Sequence, residues 1–175
     1  RPPSARALAR SLEEVTQRLP GFETRRPYPG LSSFTEEDAE YFFGREVEVE
    51  AVWRKLKRPR MLALIAPSGA GKSSFLRAGL LPTLPKVWKA LITTPGNRPF
   101  QALARALAPA FAGDAQAVEA LLRFEEEDTA VSLLHRFRQR HEHALLILDQ
   151  FEELFTLNPP KIQEAFACLL GRLVL

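Results

Sequence analysis

The chain has little cysteine, and its one thiol, Cys168, excludes an internal disulfide and any zinc cluster built from thiolates. Long apolar runs are also missing. The longest stretch without a charged residue is Met61–Gly71, eleven residues, about half of the roughly 20 that a membrane-spanning helix needs. The first residues, Arg1-Pro2-Pro3-Ser4-Ala5-Arg6, contain no apolar core of a secretory signal. Charge of one sign is not in excess: 24 Lys and Arg against 21 Asp and Glu leave a net charge of +3. The basic clusters Arg54–Arg60 and Arg136–Arg140 suit the solvated side or end of a helix better than a nucleic-acid face. His135, His141 and His143 lack the i,i+4 spacing and the acid partner of a metal site. These absences lead us to expect a cytoplasmic protein, with no membrane segment in the chain and no nucleic-acid partner. What is present is ordinary for a globular domain: 46% apolar and 26% charged residues in 175, enough for a core in about one domain.

Apolar spacing divides the chain. Leu8, Leu12, Val15 and Leu19 share one helical stripe behind Ser4, predicting a helix over 4–19. Pro20, Gly21, Pro27, Pro29 and Gly30 then mark a linker over 20–34. Thr35-Glu36-Glu37-Asp38 resembles a capping box before a short helix ending at Gly44. Val49, Val52, Trp53 and Leu56 predict a helix over 46–58, acidic at its start and basic at its end, as the helix dipole favours. Three apolar runs read as buried strands: Met61–Ala66, Ala90–Thr94 and Ala144–Leu148. Helices are expected over 72–81, 99–110, 114–124, 129–141 and from Lys161. Strands alternating with helices predict an α/β fold with a parallel sheet covered on both faces. Cys168, among Phe166, Leu169 and Leu170, is expected to be buried, and Trp53 and Trp88 to serve packing.

The first strand feeds Ala66-Pro67-Ser68-Gly69-Ala70-Gly71-Lys72-Ser73, a phosphate-binding loop with alanine in place of its first glycine. Each residue type answers a chemical need. Gly69 and Gly71 let the backbone turn so that successive N–H groups point at a phosphate, and the helix that follows adds its positive end. The Lys72 ammonium would reach the β- and γ-phosphates, and the Ser73 hydroxyl would ligate Mg²⁺. The third strand, Leu145-Leu146-Ile147-Leu148, ends in Asp149, which would hold Mg²⁺ opposite Ser73. Glu152 and Glu153 lie just beyond, where a carboxylate could orient or deprotonate an attacking water, or equally begin a helix. No Asn-Lys-x-Asp segment for guanine occurs, so adenine is the better fit.

Three blocks carry a family resemblance. Phe43-Gly44-Arg45-Glu46-Val47-Glu48, then Ala66–Pro82 with Lys72-Ser73-Ser74-Phe75-Leu76-Arg77-Ala78-Gly79-Leu80-Leu81, then Leu148-Asp149-Gln150-Phe151-Glu152-Glu153-Leu154-Phe155 resemble the novel STAND NTPases, bacterial signalling ATPases of the additional-strand class. Pro27-Tyr28-Pro29-Gly30-Leu31 and Pro95-Gly96-Asn97-Arg98-Pro99 are similar to the same family. The resemblance implies a P-loop NTPase sheet over 35–175 that binds ATP or ADP with Mg²⁺. Within it Ala66, Pro67, Ser68, Gly69, Ala70, Gly71, Lys72, Ser73 and Ser74 would bind nucleotide. Gly44, Arg45 and Glu46 would lie beside it, although they also read simply as a helix cap. Ser73 and Asp149 would hold the metal, with Glu152 and Glu153 as the acidic pair. Additional-strand ATPases often carry a catalytic glutamate directly after the metal acid, where this chain has Gln150. Hydrolysis is therefore expected to be slow, or to use position 152 or 153.

Residues 1–19 resemble the last helix of a protein Ser/Thr kinase domain, without any kinase active site in the chain. The resemblance implies a fusion of kinase, linker and STAND ATPase, with winged-helix and WD-repeat domains as downstream partners and self-association that depends on nucleotide. It also implies that the sheet lacks strands after the third, leaving a gap beside the Asp149 strand and a fragment of marginal stability. Two other readings stay open. One is a regulatory or scaffold module that binds nucleotide with little or no hydrolysis. The other is a P-loop phosphotransferase, for which residues 150–175 offer only Arg172 as a lid arginine.

Overall fold

A computed structural model describes residues 30, 32–56, 61–122 and 127–174, apart from the side chains of Leu122 and Glu127. The predicted helix over 4–19, most of the linker and the end of the 46–58 helix lie outside the described residues. The chain divides into two units at Ser32–Ser33, and the second is described here.

Two strands, β1 (Trp88–Thr93) and β2 (His143–Leu148), pair in parallel, with Leu91 opposite Leu146 and Ile92 opposite Ile147. Side chains alternate across a strand, so the pairing sorts them onto two faces. Leu91, Ala144, Leu146 and Leu148 face one core, formed with α3 (Pro99–Leu107), α5 (Glu127–Gln139) and α7 (Pro160–Val174). Ile92, Leu145 and Ile147 face the other, formed with α1 (Glu46–Leu56) and the helix that begins at Lys72. Helices therefore cover both faces of a small parallel sheet, an α/β arrangement. The first core is the larger. Leu103, Leu107, Phe111, Phe166 and Leu169 are wholly buried in it, each contributing about 1.5–3 kcal/mol over an exposed position.

Most predicted helices are present with shifted ends. The 99–110 helix is α3 followed by a 3₁₀ turn, Ala108–Phe111. The 114–124 helix is α4 (Ala115–Leu122), with Asp114 accepting the Ala117 N–H at its start. The final helix, expected from Lys161, is α7 (Pro160–Val174), and a short helix the sequence reading did not place, α6 (Glu153–Leu157), precedes it with Asn158 extended between them. The turn after Thr35 is a 3₁₀ helix, Glu36–Tyr41, and stops before Gly44. Its Asp38 carboxylate reaches back to the Thr35 amide at 2.8 Å, the acidic half of a capping box.

Three expectations need correction. The predicted strand Met61–Ala66 joins no ladder. An apolar run becomes a strand only where another strand offers its N–H and C=O groups. Instead residues 61–66 and β2 both line a cleft of about 920 Å³, and the run reaches the second core through Leu62. Met61 and Ile65 are consequently exposed, Ile65 to 93%. The predicted 72–81 helix is one α-turn, α2 (Lys72–Ser74), continued by a π-helix over Phe75–Leu80 and a 3₁₀ turn over Leu81–Thr83. Cys168 is exposed, not buried. On α7 it falls between Phe166 and Leu169, which take the buried stripe and turn it outward.

Candidate functional site

The turn between Ala66 and Ser73 is shaped by its glycines. Gly69 and Gly71 have φ of +78° and +77°, a left-handed conformation that side-chain-bearing residues adopt at a cost. The Ala70 amide donates to the Pro67 carbonyl at 3.2 Å, closing the turn. Lys72 folds back over it, its Nζ donating to the carbonyls of Ala66 at 2.9 Å and Pro67 at 3.2 Å. The ammonium therefore rests at the mouth of the loop, its partners among the described residues being neutral carbonyls.

Across the cleft, β2 delivers Asp149. Its amide continues the ladder by donating to the Thr93 carbonyl at 2.9 Å. The residue is 3% exposed, and its carboxylate accepts the Ser73 hydroxyl at 2.9 Å. The other carboxylate oxygen faces Arg77 Nε at 3.6 Å. Serine and aspartate are 76 positions apart in sequence, and only the stacking of the Lys72 helix against β2 brings them together. Gln150 follows with φ of +52°, the one non-glycine residue with positive φ among the described residues. Strain of this kind clusters at functional positions.

Ala66, Ser68, Lys72, Asp149, Gln150 and Glu152 line the same cleft. The two consecutive acids diverge. Glu152 is exposed at the start of α6. Glu153 turns away, its carboxylate accepting the Gly96 N–H at 3.2 Å. Ser74 also points elsewhere, its hydroxyl accepting the Phe34 N–H at 3.0 Å. Arg45 and Glu46 line a second pocket of about 370 Å³, with Phe42, Trp53 and Gly79. There the Glu46 carboxylate accepts the Gly44 amide at 3.0 Å. That bond and the one from its own amide hold it below the usual carboxylate range, the latter contributing more. Arg45 pairs with Glu48 at 3.3 Å. The structure thus groups loop, Asp149 and Glu152 in one cleft, and sets Gly44–Glu46 and Glu153 outside it.

Comparison with known proteins bears on this arrangement directly. A family model, Novel STAND NTPase 1, matches residues 27–174. The chain belongs to that family. No solved structure matches it. In this STAND NTPase the matched stretch contains the whole loop, Asp149 and both acids. Among the described residues no helix is long and apolar enough to cross a membrane, and no cluster of three or more metal-ligating side chains occurs.

Two residues of this STAND NTPase escaped the sequence reading. Arg77 lies four positions after Ser73, one helical turn along the same face, a spacing that could have flagged it. Asn158 carries no such signal. Its buried side-chain amide donates to the carbonyls of Gly96 at 2.8 Å and Glu153 at 3.2 Å. With Glu153 it grips the turn after β1 from both sides.

Proposed function

We propose that this STAND NTPase module binds ATP with Mg²⁺ in the cleft between the Ala66–Ser73 loop and Asp149, as the nucleotide switch of a multidomain bacterial signalling protein. The observation that carries the reading is the Ser73 hydroxyl at 2.9 Å from the buried Asp149 carboxylate, beside the Lys72 loop. A hydroxyl and a carboxylate are hard oxygen donors, the set that Mg²⁺ prefers. The residues present therefore fit the metal, which would be held by Ser73 and Asp149 and would neutralise charge on the phosphate oxygens.

The other roles belong to the chain. Backbone amides of Pro67–Lys72, other than proline's, would cradle the β-phosphate, with Gly69 and Gly71 permitting the turn. Lys72 would exchange its two carbonyl partners for phosphate oxygens, a charge-assisted contact stronger than the neutral ones it leaves. Ser74 and, beside the nucleotide, Gly44–Glu46 would complete the binding residues, although Arg45 and Glu46 line a separate pocket. Glu152, exposed in the cleft, would orient the attacking water. Glu153 would serve that role only after releasing Gly96.

Residues 35–175 would then form the N-terminal part of a P-loop NTPase domain, preceded by a linker over 20–34 and a kinase-like helix over 1–19. Kinase, winged-helix and WD-repeat domains of the same polypeptide would be the partners, acting in the cytoplasm, with self-association that depends on nucleotide. A second reading is a binding module with little hydrolysis. Two observations favour it: Gln150 follows the metal acid, and the Glu153 carboxylate is engaged with Gly96.

The test is calorimetry of ATP and ADP with Mg²⁺ on the intact protein and its Lys72→Ala variant. Binding by the parent and at least a tenfold loss in the variant, about 1.4 kcal/mol or more, is the expected result. No binding by the parent would remove the nucleotide reading. Single-turnover hydrolysis with and without Glu152→Gln then separates a slow ATPase from a binding module.

A further inference from the structure

A carboxylate as buried as Asp149 needs a compensating partner, because burying an unpaired charge is costly. Ser73 supplies a hydrogen bond but no charge. Lys72 is committed to the carbonyls of Ala66 and Pro67. Among the described residues the ion pair of Asp149 is with Arg77, whose side chain is 30% exposed and whose Nε lies 3.6 Å from Oδ2. The two carboxylate oxygens are thus divided, one to the hydroxyl and one to the guanidinium.

We propose that Arg77 is a positioning residue that holds Asp149 by charge and thereby weakens its grip on a divalent cation. The inference rests on the reading of Asp149 as a metal ligand. A guanidinium fixed beside a carboxylate lowers the potential available to a second cation at the same oxygens, and it is least screened where water is excluded. A guanidinium is the cation that proteins do not deprotonate. It therefore acts as a permanent occupant of half the acid. With Arg77 in place the buried carboxylate already has a charge partner, and cation uptake requires it to share or surrender that arginine.

Removing the charge should tighten cation binding by about tenfold, the effect of one partly screened pair. The experiment compares the intact protein with Arg77→Gln, Arg77→Met and Arg77→Lys. Arg77→Met keeps the stem that packs along the helix, in case Arg77→Gln does not fold. Two titrations are read: Mn²⁺ alone, by electron paramagnetic resonance, and Mg²⁺ at fixed fluorescent ATP analogue. Half-saturation is expected to fall about tenfold in the Gln and Met variants and to stay at the parent value in Arg77→Lys. Adding Asp149→Asn to either neutral variant should erase the gain. Half-saturation within twofold of the parent in both neutral variants would overturn the proposal, and so would an Arg77→Lys variant that behaves like them. A parent that takes up no ATP analogue refutes the nucleotide reading alone. The Arg77 proposal is then decided by the Mn²⁺ titration, where a tighter neutral variant supports it and an unchanged one overturns it.

Discussion

Gly79→Ala and Gly171→Ala are the same chemical change in two helical settings, and the structure assigns them opposite signs. In an open helix position, alanine gains about 0.5–1 kcal/mol over glycine, through lower unfolded-state entropy and better propensity. A Cβ at Gly171, on α7, meets nothing within 4 Å, so the full gain is expected. A Cβ at Gly79 would lie 2.8 Å from Cε1 of Phe42 and 3.3 Å from Cγ2 of Val49. The Phe42 ring packs edge-on against Phe34 at 6.0 Å between centroids, so swinging it aside gives up that contact. Overpacking of this kind costs about 1–3 kcal/mol. Subtracting the propensity gain leaves Gly79→Ala destabilising by about 1 kcal/mol, within a range of roughly 0–2.5. The two variants should differ by about 2 kcal/mol, or roughly 4–8 °C in Tm for a domain of this size. Urea unfolding followed by circular dichroism, with calorimetry for Tm, measures both. A Gly79→Ala protein as stable as Gly171→Ala would refute the close packing of Phe42 on the Lys72 helix. In a Phe42→Ala background Gly79→Ala should cost less than in the parent, since the clash leaves with the ring.

Asn158→Ala strips the Gly96 and Glu153 carbonyls of a buried donor, and should cost about 1–3 kcal/mol in chemical denaturation. Gln150→Gly relieves a left-handed residue and is expected to be neutral or stabilising by up to about 1 kcal/mol, whereas Gln150→Val should cost about 1–3 kcal/mol. Asp114 has its pKa lowered, first by the Ala117 amide and then by the guanidiniums of Arg136 and Arg140. A depressed carboxylate pKa gives stability that is present above the unfolded value of about 3.8 and lost as pH falls through the folded value. Tm recorded from neutral pH down to about pH 3 should therefore fall less steeply in Asp114→Asn than in the parent. Equal slopes would refute that role for Asp114.

The sheet was legible where local sequence decides it. Both apolar runs that pair, as strands ending at Thr93 and Leu148, announce buried parallel strands, and the observed register turns their alternate residues onto two cores. The glycine spacing likewise dictates the two left-handed residues of the Lys72 loop. Met61–Ala66 reads as a strand because its apolarity is local while a ladder is not; among the described residues no strand lies alongside it. The widened turns of Phe75–Leu80 were illegible for a related reason. A single π turn is rare and leaves no residue-type signal of its own in so short a stretch. Glu152 and Glu153 could not be told apart as neighbours in sequence. On a helix successive residues diverge by about 100°, and that angle sends one carboxylate into the cleft and the other to Gly96.

The bond from the Phe34 amide to the Ser74 hydroxyl has a mechanical meaning. A pull on the backbone at Ser33 is borne first by that bond and by the ring of Phe42 seated on Gly79, both on the helix that carries Lys72 and Ser73. Tension applied there therefore loads the helix directly rather than β1 and β2. A molecule stretched from this point in an optical trap would give way first at the Ser74 tether, one residue from the Ser73 hydroxyl, while the larger core around Phe166 still held.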